Sequence, residues 1–479
     1  MSALDIGARG VALGARKAFE RTDEGNASLA WRSEPSAAAL EALASQYSLL
    51  TGEAGATYTV DTGPYIMRDR LVIRGNGAEL RNVNPTPLDV DHNVSAGLNL
   101  GTSSVWATPF LTYYPVLSTS GSSLTLSAGA GENFAPGDLV VLHGATTYPG
   151  PENEYDVFRN YIRARVVRVT GDEVELDRSL PRELVDDGPV VANTAEDMVS
   201  YLPGAPQYYL LYAPYISNLT VSSNLGTALQ NGGVIDGVFR DLTLHGRNGL
   251  ALNAMQDCLF ENIRFVAWRK ICELAEGSYG TIVRNMRGVL TDAGARFGGA
   301  SDIAPFFIAL GESSSECVLD DLAVDSGPNN ATGAGVIFGS GRNNELRNSR
   351  LRFPALTVSA ISIQTVATAG HPNADCGFLK LTVTAPVCSQ FFVCSDGGAG
   401  IVRPYLEGSR FLGAPSLRAA TLRGVEGRFC GNFFESGDIQ LDNSTVRCRI
   451  EGNTVNGSMN PRTNPRRRVR KTREISRGS

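Results

Sequence analysis

Between residues 245 and 325 the chain gathers side chains able to hold or attack a sugar: His245, Arg247, Trp268, Arg269, Lys270, Glu273, Glu276, Asp292, Arg296, Asp302 and Asp325. Glycoside hydrolysis needs two carboxyl groups, one as acid and one as base or nucleophile. Asp292, Asp302 and Asp325 are the expected acid and base pool, with Glu273 in reserve. They crowd the longest irregular stretch, LTDAGARFGGASDIAP at residues 290–305, and its neighbours. Arg296, Arg247, Arg269 and His245 would pair with a carboxylate or bind the sugar, and Trp268 would stack on a ring. Elimination at a uronate would instead use Arg247, Arg269 or Lys270 to neutralise the sugar carboxylate, but no short motif of such chemistry is present. Plainer roles compete at each position: a solvating loop charge, a turn cap, or packing for Trp268.

What positions these residues is a repeat. FRDLTL begins at Phe239 and FENIRF at Phe260, and the pattern extends to ISNLTV at Ile216, VRNMRG at Val283 and LDDLAV at Leu319. The spacings are 23, 21, 23 and 36 residues. Looser copies follow at Leu346, Phe378, Phe429 and Ile450. A period of this length marks a solenoid. The unit is too short for a helix pair, and its alternating β-branched residues suit strands. A second apolar stretch follows each motif (GLALN, KICELAEG, FFIALGE, GVIFGSG), so three short strands per coil are expected. Asn218, Asp241, Asn262, Asn285 and Asp321 fall at equivalent sharp corners, where Asn and Asp tolerate the left-handed conformation. Coils stack about 4.8 Å apart. Carboxylates one or two coils apart therefore approach the ~5 Å or ~9 Å separations of retaining and inverting glycosidases.

On ISNLTV, FRDLTL, FENIRF, VRNMRG and LDDLAV the chain resembles the right-handed parallel β-helix proteins of the pectate-lyase-like superfamily. The resemblance covers residues 201–457 and a first coil at MRDRLVIRGNGAELRNV. It implies an all-β fold and a substrate groove along the outside of the solenoid, beside the second apolar stretch of each coil. It does not fix the chemistry, because one scaffold hosts lyases, hydrolases, epimerases and adhesins. GENFAPGDLVVLHG and RARVVRVTGDEVELDRSLP read as alternating strands with Gly-Asp turns, a small β-domain inserted between early coils. Such an insert is similar to those of phage tailspikes and virion depolymerases. The organisation read from the chain is an attachment segment (1–40), first coils (41–90), the inserted domain (91–200), the main solenoid (201–457) and a basic tail (458–479).

Composition narrows the rest. With 479 residues, 42% hydrophobic and 19% charged, the chain can bury a large core. It contains no run long and apolar enough to span a membrane, and its N-terminus lacks the order of a signal peptide. All eight cysteines follow residue 257 without a metal-ligand or disulfide spacing, so they read as small buried residues, and no cofactor is expected. The tail carries +7 of a total −6, leaving −13 on the body, which favours a neutral or mildly acidic glycan unless the groove is locally basic. No aromatic interleaves the tail's arginines, so nucleic acid is not an expected partner. The expectation is a virion spike of a phage or phage-like particle that binds, and could depolymerise, bacterial surface polysaccharide. It would be a homotrimer, attached to other virion proteins through its N-terminus. A non-catalytic adhesin and a lyase or epimerase remain as alternatives.

Overall fold

The computed structural model describes residues 28–30, 36–66, 68–83, 96–100, 112–144, 161–180, 184–185, 188–193, 211–231, 233–253, 255–275, 278–292, 304–311, 314–339, 341–364, 373–395, 400–441, 445, 447–456, 459–461 and 473–474. Parallel pairing at the repeat spacing runs through it: Phe239 pairs with Phe260, Phe260 with Val283, Val283 with Leu319 and Leu319 with Leu346. The chain is a right-handed parallel β-helix. Each coil has a first face running into the Asn/Asp corner, a second face after it, and a third face made by the second apolar stretch. In Leu259–Ala275 one strand covers all three.

The corner forms as the repeat requires. Asn218, Asp241, Asn262, Asn285, Asp321 and Asn348 have φ between 51° and 58°. Asn262 Nδ2 donates to Asp241 Oδ1 at 2.9 Å, and Asn285 Nδ2 to Asn262 Oδ1 at 2.6 Å. In the last coils Lys380, Gly408, Gly431 and Gly452 take this position. The asparagine of FCGNFF and IEGNTV is therefore one residue past the corner and points inward. Asn432 Nδ2 donates to Leu406 O at 2.7 Å, and Asn453 Nδ2 to Phe429 O at 2.7 Å. The polar ladder moves from the outside of the corner to the inside.

A second corner, between the third face and the next first face, had no visible motif. Asp236, Asp257, Gly280, Glu316, Asn343, Asp375, Arg403, Glu426 and Arg447 all have positive φ there. The residue after each points into the core, and in alternate coils it is Cys258, Cys317 and Cys376. These cysteines are unbridged and buried. They also accept hydrogen bonds: Gly237 N donates to Cys258 Sγ at 3.3 Å, and Asn344 N to Cys376 Sγ at 3.4 Å. They are corner acceptors as well as small apolar residues.

The first face carries charge on its outside. Arg240, Glu261, Arg284, Asp320 and Arg347 occupy one column on successive coils. Arg240 Nε donates to Glu261 at 2.6 Å, Arg284 pairs with Glu261, and Arg347 meets Asp320 at 3.0 Å. Nearby, Glu345 is fully buried, bound to Arg347 at 3.0 Å and accepting from the Tyr405 hydroxyl at 2.7 Å. Burial and this carboxylate push the Tyr405 phenol well above its ordinary pKa. The ring reaches Glu345 across the intervening coil because Gly377 lies between; a Cβ there would sit 2.2 Å from Tyr405 O and 2.6 Å from its Cγ. Gly377→Ala is expected to cost about 1–3 kcal/mol of stability, read as a lowered unfolding midpoint. An unchanged midpoint would mean that the ring does not need the gap.

Residues 114–193 contribute a six-stranded closed antiparallel barrel with its own core, including Leu124, Leu142, Ile162 and Val174. It is inserted between the solenoid strands Leu98–Leu100 and Leu211–Tyr212. Four segments extend the solenoid beyond its expected limits, among them Ser28–Ala30, which pairs with Leu49–Thr51 inside the 1–40 segment. Leu98–Leu100 pairs with Tyr65–Ile66 and Leu229–Asn231, inside the 91–200 segment. Met459–Pro461 and Arg473–Glu474 pair on the last coils, inside the expected tail. At the other end, helix Ala37–Gln46 is capped by Ser36 and buries Leu40 and Ala44 in the solenoid core. A boundary at residue 40 cuts this helix, so the attachment segment expected over 1–40 is corrected at 28–30 and 37–40, which join the solenoid. Residues 1–27, to which virion attachment was assigned, lie outside the described residues.

Candidate functional site

The third face has a flat floor. Its outward column runs Gln230, Ala251, Glu273, Ala309, Ile337, Ser362, Val393, Thr421 and Gln440. Glu273, whose side chain is 18% exposed, lies between the short neighbours Ala251 and Ala309. Amides and hydroxyls are held in place three to five coils further along: Gln364 Nε2 donates to Ser362 Oγ at 2.9 Å, and Thr421 Oγ1 to Gln390 at 2.8 Å.

One wall is built by a register shift. Gly246 pairs with Ala267 and Asn248 with Lys270, so Trp268 and Arg269 together oppose Arg247. An extra residue of this kind bends a strand and re-aims its side chains. It brings Arg247, Arg269 and Lys270 to the edge of the floor. Lys270 Nζ donates to Glu273 Oε2 at 2.7 Å and lies 4.5 Å from the centre of the Phe306 ring. Burial pulls the Lys270 ammonium below its ordinary pKa, Glu273 opposes that shift, and Arg269 and Arg247 add to it. Trp268 is only 3% exposed, so its ring packs inside the wall. The edge there carries the half-buried Arg247 and Arg269, with Lys270 buried against Glu273.

The expected site residues divide by face. Arg247, Arg269, Lys270 and Glu273 come together, and Asp292 lies exposed one coil above, where the chain leaves the second face. Asp325 is elsewhere. It ends a second-face strand in register with Val289, pairs with Arg352 at 2.5 Å and accepts from Gly327 N at 2.8 Å. His245 shares that second-face column, through Val266 and Val289. The acid pool read from the sequence is therefore not a single cluster. Asp302, Arg296 and Glu276 lie outside the described residues. Among the described residues of the floor column, Glu273 is the only carboxylate. Sequence reading missed Phe306 and the floor amides, whose only signal is their place one residue from an inward apolar position.

No protein-family model matches the chain, and no curated protein matches it in sequence. Solved structures are similar to it. The gp54 tailspike of Acinetobacter baumannii bacteriophage AP22, in complex with A. baumannii capsular saccharide, is 10% identical, covering 89% of this chain and 73% of its own, with a TM-score of 0.38. The gp61 tailspike of Pseudomonas phage phi297 is 12% identical over 88% and 70%, at 0.39. The gp49 tailspike of Pseudomonas phage LKA1 is 11% identical over 89% and 74%, at 0.36.

Proposed function

We propose that the chain is the host-recognition spike of a phage or phage-like particle and that it holds bacterial surface polysaccharide along the third face. Three copies would assemble side by side, which light scattering at micromolar concentration tests; a monomer rules this assembly out. The observation that carries the binding reading is the flat, amide-bearing floor with its cationic wall of Arg247, Arg269 and Lys270 beside Glu273. An extended sugar chain needs such a track, along which the polar positions Gln230, Glu273, Ser362 and the pair Thr421 and Gln440 are separated by apolar ones.

In hydrolysis, Glu273 is the carboxyl group set on the floor, and Asp292 is the described carboxylate at its edge. Elimination is the second reading: Lys270 stands at the floor beside Glu273, and a lysine whose pKa burial lowers is more often neutral and able to accept a proton. Incubation with capsule or lipopolysaccharide separates the readings: new reducing ends alone indicate hydrolysis, unsaturated uronate absorbance elimination, and retention without product a binding spike. On a cleaved glycan, Glu273→Gln is expected to lose at least about a hundredfold in turnover with binding retained. Asp325→Asn, tied up on the second face, is expected to turn over normally. The opposite pattern would move the site to the second face.

A further inference from the structure

The second face carries a feature that the third-face site does not use. Its first outward column runs Thr243, Arg264, Arg287, Ala323, Arg350, Thr382, Arg410 and Phe433 on successive coils. From Arg287 onward an arginine recurs on every second coil, at 287, 350 and 410, with Arg264 one coil before the first. Coil stacking places alternate coils about 10 Å apart along the axis.

Three of these arginines, Arg264, Arg350 and Arg410, make no ion pair among the described residues, whereas Arg287 is held by Asp321 at 2.7 Å. Arg264 and Arg350 are exposed and have no carboxylate or other partner among the described residues. Arg410 is exposed and touches only the Phe433 ring, 5.7 Å from its centre. Beside them stand Arg352, 63% exposed, and the exposed Val266 and Val289. Like charges in neighbouring rows of a sheet oppose folding; Arg264 and Arg287 are such a pair, with Asp321 offsetting Arg287 and Asp325 offsetting Arg352, while Arg350 and Arg410 follow at two-coil intervals.

We infer that this strip is a second glycan site, which binds a linear acidic polysaccharide along the solenoid axis through its carboxylate groups. Guanidinium forks match carboxylates in shape and hydrogen-bonding capacity. Rigid β-stacking fixes the charges at an axial repeat that an extended polymer can follow without bending. The valines offer apolar surface to the carbon faces of sugar rings between charges. The strip also supplies the local positive field that the body, at −13, otherwise denies an anionic chain. This inference rests on the polysaccharide reading above and adds a charge class and a separate face to it.

The test uses the full chain and polygalacturonate as the acidic probe, with fully methyl-esterified polygalacturonate as its neutral counterpart. Binding is measured at low and at physiological salt. The triple variant Arg264→Ser/Arg350→Ser/Arg410→Ser is expected to weaken polygalacturonate binding at least tenfold and to flatten its salt dependence. A control, Arg168→Ser/Arg428→Ser/Arg449→Ser, removes the same charge from exposed arginines that already have carboxylate partners, and is expected to bind almost as the parent does.

Equal losses in both variants, or none in the first, overturn the strip. Tighter binding of duplex DNA than of polygalacturonate, lost in the same variant, overturns the glycan assignment. Retention of host capsule on the third face of the triple variant keeps the function reading separate. A chain that binds capsule but never polygalacturonate sinks the strip alone, and one that binds no glycan at all sinks both.

Discussion

Phe260→Ala is expected to cost about 3–5 kcal/mol of stability, seen as a large drop in the urea midpoint. Phe260 is fully buried in a middle coil and stacks on Phe239, with ring centres 4.4 Å apart and planes 12° from parallel. The inward column of the first face continues through Val283, Leu319, Leu346 and Phe378, so the cavity would open between two coils that both depend on it. A solenoid's stability is close to a sum of coil and interface contributions. Loss of a middle interface therefore divides the stack, whereas loss at an end only shortens it. Phe429→Ala, near the C-terminal end, is expected to shift the midpoint less. Equal shifts would mean that the coils unfold as one block.

The second large effect is at the junction of barrel and solenoid. Arg178, 14% exposed, lies among Asp177 at 3.3 Å, Asp236 at 3.5 Å and Asp257. Asp236 and Asp257 are second-corner residues of adjacent coils, so a barrel side chain bridges two turns of the solenoid. Arg178→Ala leaves three carboxylates facing one another, and breaking a buried pair this way costs about 3–5 kcal/mol. The expected result is proteolysis between the two parts at protease levels that leave the parent intact. If the parent and variant are cut alike, the other junction contacts hold the barrel: Arg165, which meets Asp69 at 3.1 Å and lies over the Tyr212 ring, and Arg163 N, which donates to Gln256 Oε1 at 2.9 Å. Alkali provides a second readout. Burial, then Asp236 and Asp177, push the Tyr212 phenol up to about 12. A phenol whose folded pKa is raised stabilises the docked state fully below its ordinary value near 10. That contribution is lost as pH rises through about 12, so docking should weaken over this range, and Tyr212→Phe should remove the dependence.

How much of this was legible follows from what each position demands. The first corner was readable because the backbone needs a left-handed residue immediately before an inward apolar one, and Asn or Asp meets that need while bonding to its neighbours. The second corner makes the same backbone demand, yet Glu316, Arg403 and Asp257 all fill it. Backbone bonds between coils hold it, such as Asp257 N to Tyr279 O at 2.8 Å and Glu316 N to Arg342 O at 2.8 Å, as they do the first corner, but without the Asp241–Asn262–Asn285 side-chain ladder that selects Asn and Asp there. The candidate site was legible only in part. Arg247, Arg269, Lys270 and Glu273 were found together because they sit within one pair of coils. The separation of Asp325 from Glu273 depends on which strand ends where, and the burial of Trp268 on a one-residue register shift. Neither changes composition or period.

The charged column on the first face constrains how this chain can change length. Arg240, Glu261, Arg284, Asp320 and Arg347 alternate in sign from coil to coil, so each coil fits only neighbours of the opposite sign. Deleting or duplicating one coil would set like beside like across a parallel pair, which is unfavourable. Deleting or duplicating two adjacent coils would restore the alternation. Each exposed pair contributes only about 0.2–1 kcal/mol, but the column gives the stack a parity, and descendants of this chain should gain or lose these coils in even numbers.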